Sequence, residues 1–262
     1  MIRSKIFSRQ PVRLFSMSKV LVALALITCV LVDRSEAGFV GTTLIRIEAM
    51  NGSDSGFLEW TIPSSPSNPL VWNLPSPQNI MDGSTVLATV DSLSVIYDGD
   101  PQVVLNFAVT AANLVGGTNF NIQSAVVTFS PLVNPEAFAT AAITVTDNQI
   151  NGATVTGQEP GLKAYAAQYN GGTPFAYLVQ TPVVAPPGSS NTAMERFPPI
   201  PPTTVPIIGV VTSIESEFRF NLSRSDSASG TSNFTVVPEP GTWALLGTGL
   251  FALVALARRR RG

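Results

Sequence analysis

The side chains of this chain that are most able to do chemistry are carboxylates. Asp98 and Asp100 flank a glycine, and Asp82 and Asp91 lie nearby in the sequence. Several oxygens in one place are what a hard cation such as Ca²⁺ requires, which makes Asp98 and Asp100 calcium candidates. Their spacing does not match an EF-hand loop, since the later ligand positions and the closing glutamate are missing. The favoured interpretation is therefore a pair of turn residues without a bound metal.

Glu215 and Glu217 form a second carboxylate pair, separated by one serine. A glycoside hydrolase needs two carboxylates at a defined separation, which a sequence alone does not give. Alternation along a predicted strand places both glutamates on its exposed face. We therefore predict a solvated surface pair, with a catalytic pair as the alternative.

Histidine is absent from the chain, and Cys29 is its only cysteine. These two facts remove Ser-His-Asp and Cys-His catalysis, histidine-based zinc sites and the usual general base near neutral pH. Catalysis would have to rely on carboxylates, hydroxyls and Lys163, the only lysine of residues 38–240. We therefore predict a protein that is not an enzyme and holds no cofactor.

Residues 63–77 are rich in proline and are predicted to form a loop; Trp60 precedes this stretch and Trp72 lies within it. An exposed tryptophan at a sheet edge can stack on a sugar ring, whereas a buried one belongs to a core, and burial is the favoured interpretation. Asn-X-Ser/Thr triplets fit the glycosylation pattern, which is short enough to arise by chance. They begin at Asn51, Asn221 and Asn233. Neither feature identifies a ligand.

The elements that must position these side chains are β-strands. Residues 38–180 show strand after strand, separated by Gly, Asn and Asp turns. Asp98-Gly99 between two such runs is the best hairpin signal in the chain, and Asn51-Gly52 is another. Residues 162–169 allow either a strand or a short helix. The pattern predicts an all-β fold, an antiparallel, jelly-roll-like β-sandwich over residues 38–237.

Residues 181–206 have a different composition, with eight prolines in 26 residues. Proline lacks the N–H group that a β-ladder needs, so this stretch is predicted to be a long surface loop without strands. A linker between two subdomains is the alternative. Strand alternation resumes over residues 217–222. The polar run 223–233 is predicted to be a hairpin turn, followed by a last edge strand over residues 234–237.

The amino end has the three parts of a signal peptide. Residues 1–19 carry five basic side chains and no acid, and residues 20–32 form an apolar run. That run is too short to span a bilayer comfortably. Small residues at positions 35 and 37 then precede Gly38. We predict a signal peptide over residues 1–37, cleaved between Ala37 and Gly38.

The charge of the chain is unevenly distributed. Residues 38–240 contain five basic and fifteen acidic side chains, which is a net charge of −10, whereas the whole chain is at −2. The remaining basic side chains lie at the two ends, where they can engage a membrane. Binding to nucleic acid needs Lys and Arg against phosphate, so the acidic central part argues against that partner.

The last residues of the chain, 238–262, have a third composition. Residues 241–257 carry no charge and are mostly Leu, Ala, Gly and Val. As a helix this stretch is about 26 Å long, just enough for a thin bilayer. Four arginines follow it: Arg258, Arg259, Arg260 and Arg261. Because arginine resists crossing and favours the cytoplasmic side, we predict a transmembrane helix over residues 241–257 that the arginines stop.

The carboxyl end resembles the PEP-CTERM sorting signal. Pro238, Glu239 and Pro240, the apolar stretch and the arginine block follow one another in the order of that signal. In that family the tail is a transient address, because a membrane-embedded enzyme, exosortase, cuts near the motif and releases or transfers the protein. The resemblance implies an exosortase-like enzyme as a partner, and passage through the inner membrane to the cell surface or extracellular matrix. It also makes exopolysaccharide a second candidate partner.

These observations favour an exported protein with a structural or adhesive role. Two alternatives stay open. One is a secreted hydrolase or carbohydrate-binding protein that relies on carboxylates. The other is a single-pass membrane protein that is never cleaved.

Overall fold

The computed structural model describes residues 38–64 and 66–238, which fold into sixteen β-strands without a helix. Within these two ranges, therefore, no helix has the length and apolar character that crossing a membrane requires. The predicted signal peptide and the predicted transmembrane helix lie outside the described residues. The strands are β1 (Gly38–Asn51), β2 (Asp54–Thr61), β3 (Leu70–Asn73), β4 (Gln78–Asp82), β5 (Thr85–Asp98), β6 (Gln102–Ala111), β7 (Thr118–Val133), β8 (Glu136–Thr146), β9 (Ala153–Gly157), β10 (Lys163–Tyr169), β11 (Thr173–Gln180), β12 (Val183–Ala185), β13 (Ser190–Phe197), β14 (Val205–Pro206), β15 (Val210–Leu222) and β16 (Ser227–Val237).

The strands form two sheets. In sheet 1 the order is β11-β10-β15-β7-β1-β2, and β9 joins this sheet through β15 and carries β12. In sheet 2 the order is β13-β8-β16-β6-β5-β3, with β14 against β8 and β4 against β5. Every pairing of these strands is antiparallel. The predicted all-β, antiparallel class is confirmed.

The core lies between the two sheets, because successive residues of a strand point to opposite faces. In β6 and β8, buried and half-buried residues alternate along the whole strand. Phenylalanines from the two sheets meet in this core. The ring centroid of Phe107 on β6 lies 5.0 Å from that of Phe218 on β15, and the centroids of Phe175 on β11 and Phe234 on β16 are 5.3 Å apart. The sheets therefore pack face to face.

Tyr97 links the two sheets by hydrogen bonds inside the core. Its hydroxyl donates to the carbonyl oxygen of Leu44 on β1 at 2.6 Å and accepts from the N–H of Ala125 on β7 at 2.9 Å. Burial raises the pKa of the Tyr97 phenol far above its usual range, although the contacts with Ala125 and Ser124 act to lower it. The phenol is therefore neutral and can make both bonds at any physiological pH.

Glu195 on β13 links the sheets at one side of the molecule. Its carboxylate accepts from the backbone N–H groups of Val179 and Gln180 on β11, at 3.0 and 2.9 Å, and lies 2.8 Å from Nζ of Lys163 on β10. Burial works to raise the pKa of Glu195, but these donors together hold it below its usual value. The carboxylate thus occupies donors of the edge strand β11 that would otherwise be open to another chain.

The prediction that residues 181–206 form a loop without strands is wrong. This stretch contains β12, β13 and β14, and all eight residues of β13 pair with β8. The prolines do not prevent this, because most of them lie between the strands and residues 190–197 contain none. The segment between Pro187 and Pro198 contains no proline and is long enough to form the eight-residue strand β13.

Other strand predictions also need correction. The proline-rich stretch 63–77 contains the edge strand β3, and the polar run 223–233 is a turn only as far as Asp226. β16 then begins at Ser227 and lies between β6 and β8, so it is a central strand rather than an edge strand. Its small residues serve packing, since a Cβ atom on Gly230 would lie 2.4 Å from the ring of Phe107. Residues 162–169 allow either a strand or a short helix by sequence. In the structure, all of them except Leu162 form the strand β10.

Candidate functional site

The sorting segment leaves the folded part at the end of a central strand. Val237, the last residue of β16, pairs with Glu136 on β8, and the N–H of Val236 donates to the carbonyl oxygen of Pro101 at 2.9 Å. Pro238 comes next and is exposed. Glu239, Pro240 and the arginines 258–261 lie outside the described residues, as does Ala37 of the predicted cleavage site. Gly38, on the other side of that site, is the first residue of β1.

Asp98 and Asp100 lie in the hairpin between β5 and β6, as the sequence predicts. Asp98 Oδ1 accepts a hydrogen bond from the N–H of Asp100 at 3.2 Å, which is a local turn contact. The other two aspartates are engaged elsewhere: Asp82 accepts from the N–H of Ser55, and Asp91 accepts from the hydroxyl of Thr110. Among residues 38–64 and 66–238, no group of three or more His, Cys, Asp or Glu side chains is placed to hold a metal ion.

The prediction that Glu215 lies on a solvated face is wrong. Glu215 is buried, with 6% of its surface exposed, and Glu217 is half-buried. Glu215 keeps the same face as Glu217, since β10 pairs with residues 214–218 in unbroken register, but it is in contact with Gln123 of β7 and with the N–H of Gly172. Burial, and then the charge of Glu217, raise the pKa of Glu215, while hydrogen bonds from Gln123 and Gly172 act to lower it.

Glu159 joins this pair, although nothing in the sequence around it indicated a role. It is 7% exposed, and its Oε1 has no hydrogen-bond partner among the described residues. Burial and the charge of Glu217 raise its pKa, whereas Arg219, with Nη1 at 3.7 Å from Oε1, opposes that change. The structure therefore brings three glutamates and one arginine together near β15. A carboxyl with a raised pKa keeps its proton more readily, which is a property of a general acid.

A polar depression on the outer face of sheet 1 adjoins this cluster through Gln123. It has a volume of about 190 Å³ and is lined by Arg46, Glu48, Asn121 and Gln123. The guanidinium of Arg46 lies 3.8 Å from Glu48, and its carbon is 4.2 Å from the ring centroid of Phe57. Asn121 Oδ1 is buried there without a hydrogen-bond partner in the described part of the chain. The depression thus offers an acceptor, a cation and planar amides to a polar ligand.

Trp60 and Trp72 contact each other across the two sheets. Their ring centroids are 5.3 Å apart, and both half-buried side chains pack against the core. This packing agrees with the interpretation that both tryptophans belong to the core and are not exposed stacking platforms for a sugar.

The three asparagines of the glycosylation pattern are all engaged in hydrogen bonds. The Asn51 amide donates to the carbonyl oxygens of Val115 and Gly117, and the Asn221 amide donates to Asn119. Asn233 accepts from the amide of Gln102. These contacts give each side chain a structural role in the fold.

Comparison with known proteins yields one family. The family model of the PEP-CTERM protein-sorting motif matches residues 236–261. No curated protein matches the chain. Among solved structures, the chain is similar to the crystal structure of the infectious bursal disease virus VP2 subviral particle at 12% identity, with a TM-score of 0.16, over 86% of this chain and 72% of that chain. A similarity at that level carries no argument about fold or function.

The family match confirms the resemblance drawn from the sequence. It begins with the last two residues of β16 and continues through the arginine block. The motif indicates an exported protein that an exosortase sorts. The chain is therefore a protein with a PEP-CTERM sorting motif at its carboxyl end.

Proposed function

We propose that this protein is a structural or adhesive component of the cell surface or extracellular matrix and is not a catalyst. Residues 1–37 direct its export and are removed after Ala37. Residues 241–257 hold it in the inner membrane until an exosortase-like enzyme cuts near Pro238, Glu239 and Pro240. The released part, residues 38–237, is a jelly-roll-like sandwich.

The observation that carries this proposal is the junction between fold and motif. Val237 is the last residue of a paired central strand, and the exposed Pro238 follows it directly. A processing enzyme therefore meets the motif next to a stable folded unit. Cleavage there removes the sorting tail and leaves every strand of both sheets intact.

The mass of the mature protein from its native cells tests processing. We expect a species that begins at Gly38 and ends within Pro238–Pro240. The substitution Glu239→Ala should leave the tail attached, whereas Ser229→Ala, an exposed change on β16, should be processed normally. An intact carboxyl end through Arg261 in the unaltered protein would contradict processing and support the alternative of a permanent single-pass anchor.

Exopolysaccharide is the proposed second partner, and the depression on sheet 1 supports it. Among the residues that the structure describes, Asn121 Oδ1 has no donor, and a sugar hydroxyl can supply one; Arg46 and Gln123 can donate to ring and hydroxyl oxygens. We expect purified exopolysaccharide from the same cells to bind the mature protein. Asn121→Ala should weaken binding by roughly tenfold, in line with the loss of one to two hydrogen bonds. Thr192→Ala on sheet 2 should have no effect, and equal binding by both variants would exclude this surface.

A secreted carboxylate-dependent hydrolase is the alternative. The raised pKa values of Glu159 and Glu215 beside Glu217 are the observation that favours it. Glu215→Gln distinguishes the two proposals, because it preserves size and removes the titratable group. If the mature protein cleaves the exopolysaccharide and this variant does not, the hydrolase alternative replaces the structural proposal. We expect that neither the mature protein nor the Glu215→Gln variant cleaves the exopolysaccharide.

A further inference from the structure

Two apolar loop tips lie side by side at the end of the molecule from which the sorting segment leaves. The N–H of Gly209 donates to Asn134 Oδ1 at 2.8 Å, and the N–H of Asn134 donates to the carbonyl oxygen of Gly209 at 2.7 Å. Val133 and Val210 pair directly beside this contact. Ile208 is 83% exposed and Val133 is 65% exposed. The two tips therefore present adjacent apolar side chains to the outside.

The two loops are apolar and carry no charge. Residues 131–135 and 197–214 contain no charged residue at all, although the exported part is strongly acidic. Ile200, within the second stretch, is 67% exposed. Exposed apolar residues also occur at the opposite end, in the uncharged loop with Val115 and at Ile150, and the charged turn with Asp98 and Asp100 lies at the same end as the tail. The feature that distinguishes the end with Ile208 is therefore its direct connection to the carboxyl tail.

The same end is tied to the carboxyl tail. β14 holds the second loop against the start of β8, with Val205 paired to Ala137, and Val237 pairs with the next residue, Glu136. Only Glu239 and Pro240 separate the described residues from the uncharged stretch 241–257. Two residues reach about 7 Å at most. If residues 241–257 are in the bilayer, this end of the molecule must lie at its surface.

We propose that Val133, Ile200, Ile208 and Val210 form a membrane-contact surface that rests in the interfacial region of the lipid bilayer while the tail is inserted. This inference rests on the proposed membrane insertion of residues 241–257. Apolar side chains on a surface enter the boundary between headgroups and acyl chains by roughly 5–10 Å. Because the loops carry no basic residue, the contact does not require anionic lipid and persists at high salt. It fixes the orientation of the folded part and holds Pro238 at the membrane surface, where a membrane-embedded enzyme can reach it.

Depth-dependent fluorescence quenching in lipid vesicles tests the contact. The full chain carries Cys29→Ser and one new cysteine with an environment-sensitive probe: Ile208→Cys at the proposed surface, Thr248→Cys in the tail, or Val115→Cys as the control. Val115 is 86% exposed and lies in the loop between β6 and β7, at the opposite end. Each protein is reconstituted in phosphatidylcholine vesicles that contain nitroxide-labelled lipids. We expect quenching at position 208 by a headgroup or shallow label, quenching at 248 by a deep label, and no quenching at 115.

The outcomes separate this inference from the proposed function. Quenching at 248 without quenching at 208 would overturn the membrane-contact surface and leave the anchor intact. Absence of quenching at both positions would overturn the anchor and the contact together. A blue shift at 208 without lipid quenching would mean that protein, such as a second copy of this chain, covers the surface, and would also overturn the inference. Ile208→Cys replaces an exposed side chain, so a loss of folding does not complicate the result.

Discussion

The hydroxyl of Tyr97 joins a strand of sheet 2 to two strands of sheet 1. Tyr97→Phe keeps the ring but leaves the buried N–H of Ala125 and the carbonyl of Leu44 without this partner. An unsatisfied buried group costs about 1–3 kcal/mol, so we expect a loss of that size in the free energy of unfolding. Urea denaturation measures it. Tyr177→Phe on β11 is the control, and an equal loss there would contradict a specific role for Tyr97.

Asp147 makes the stability of the loops around it depend on acid. Burial works to raise its pKa, but the N–H groups of Gly188, Gly152, Gln149 and Asn151 lower it from 3.8 to about 2. A lowered folded-state pKa adds stability above pH 3.8, and that stability is lost as the pH falls towards 2. We expect Asp147→Asn to unfold at a lower temperature than the unaltered protein at pH 7. Near pH 2 the two melting temperatures should converge, and a constant difference would show that charge is not the cause.

At the scale of the strand, Glu195 protects the edge of sheet 1. Glu195→Ala removes the acceptor of two N–H groups on β11 and the partner of Lys163. Since the pair is partly exposed, we expect a loss of about 1–3 kcal/mol in unfolding free energy, with faster hydrogen exchange confined to β11. Glu48→Ala is the matched control, because its ion pair with Arg46 is long, at 3.8 Å. Unchanged hydrogen exchange at the N–H groups of Val179 and Gln180 in the Glu195 variant would show that this carboxylate does not protect the edge strand.

Gly230 sets the approach of β16 to the core. A Cβ at this position would lie 2.4 Å from Cε1 of Phe107, whose ring already packs against Phe218 and Phe220. We expect Gly230→Ala to reduce the free energy of unfolding by about 1–3 kcal/mol through overpacking. Thermal denaturation checks it, with Ser229→Ala on the exposed side of β16 as the control. A double variant with Phe107→Leu should recover part of the loss, and failure to recover would point to another cause.

The strands that could be read from the sequence are those with uninterrupted alternation. β6, β8 and the Asp98 hairpin follow directly from apolar residues at every second position and a turn dipeptide. Prediction failed where tertiary contacts decide the outcome. β13 forms because β8 offers it an edge, and Glu215 is buried among groups from other parts of the chain, Gln123 of β7 and Gly172 of the loop after β10. Neither set of contacts can be predicted from the sequence of a single strand.

The features of the candidate site also differ in whether the sequence alone can predict them. The sorting motif is a contiguous pattern, and the sequence was sufficient to recognise it. The cluster of Glu159, Glu215 and Glu217, and the burial of the Asn121 side-chain oxygen, depend on residues far apart in the chain. Their burial is created by the folding of sheet 1, and no local signal marks them.

At the scale of the whole molecule, charge restricts the partners. Residues 38–240 have a net charge of −10, and a strong negative field repels phosphate. We expect the mature protein to bind an anion exchanger at pH 7 and to leave duplex DNA unretarded in a gel, even at low salt. Retardation that disappears as salt is added would contradict this prediction.

β16 is the last strand of the chain and lies between β6 and β8 in sheet 2. A chain that crosses the membrane amino end first delivers β6 and β8 well before β16, and until then these two strands have open edges that face each other across a gap. In the export that we propose, the gap closes only when Val237 has emerged, and the rest of the sorting motif, which begins at residue 236, follows directly behind it. The fold is therefore completed at the time when the sorting motif emerges. An exosortase that recognises this motif acts on a chain whose final strand has only then become able to pair with β6 and β8.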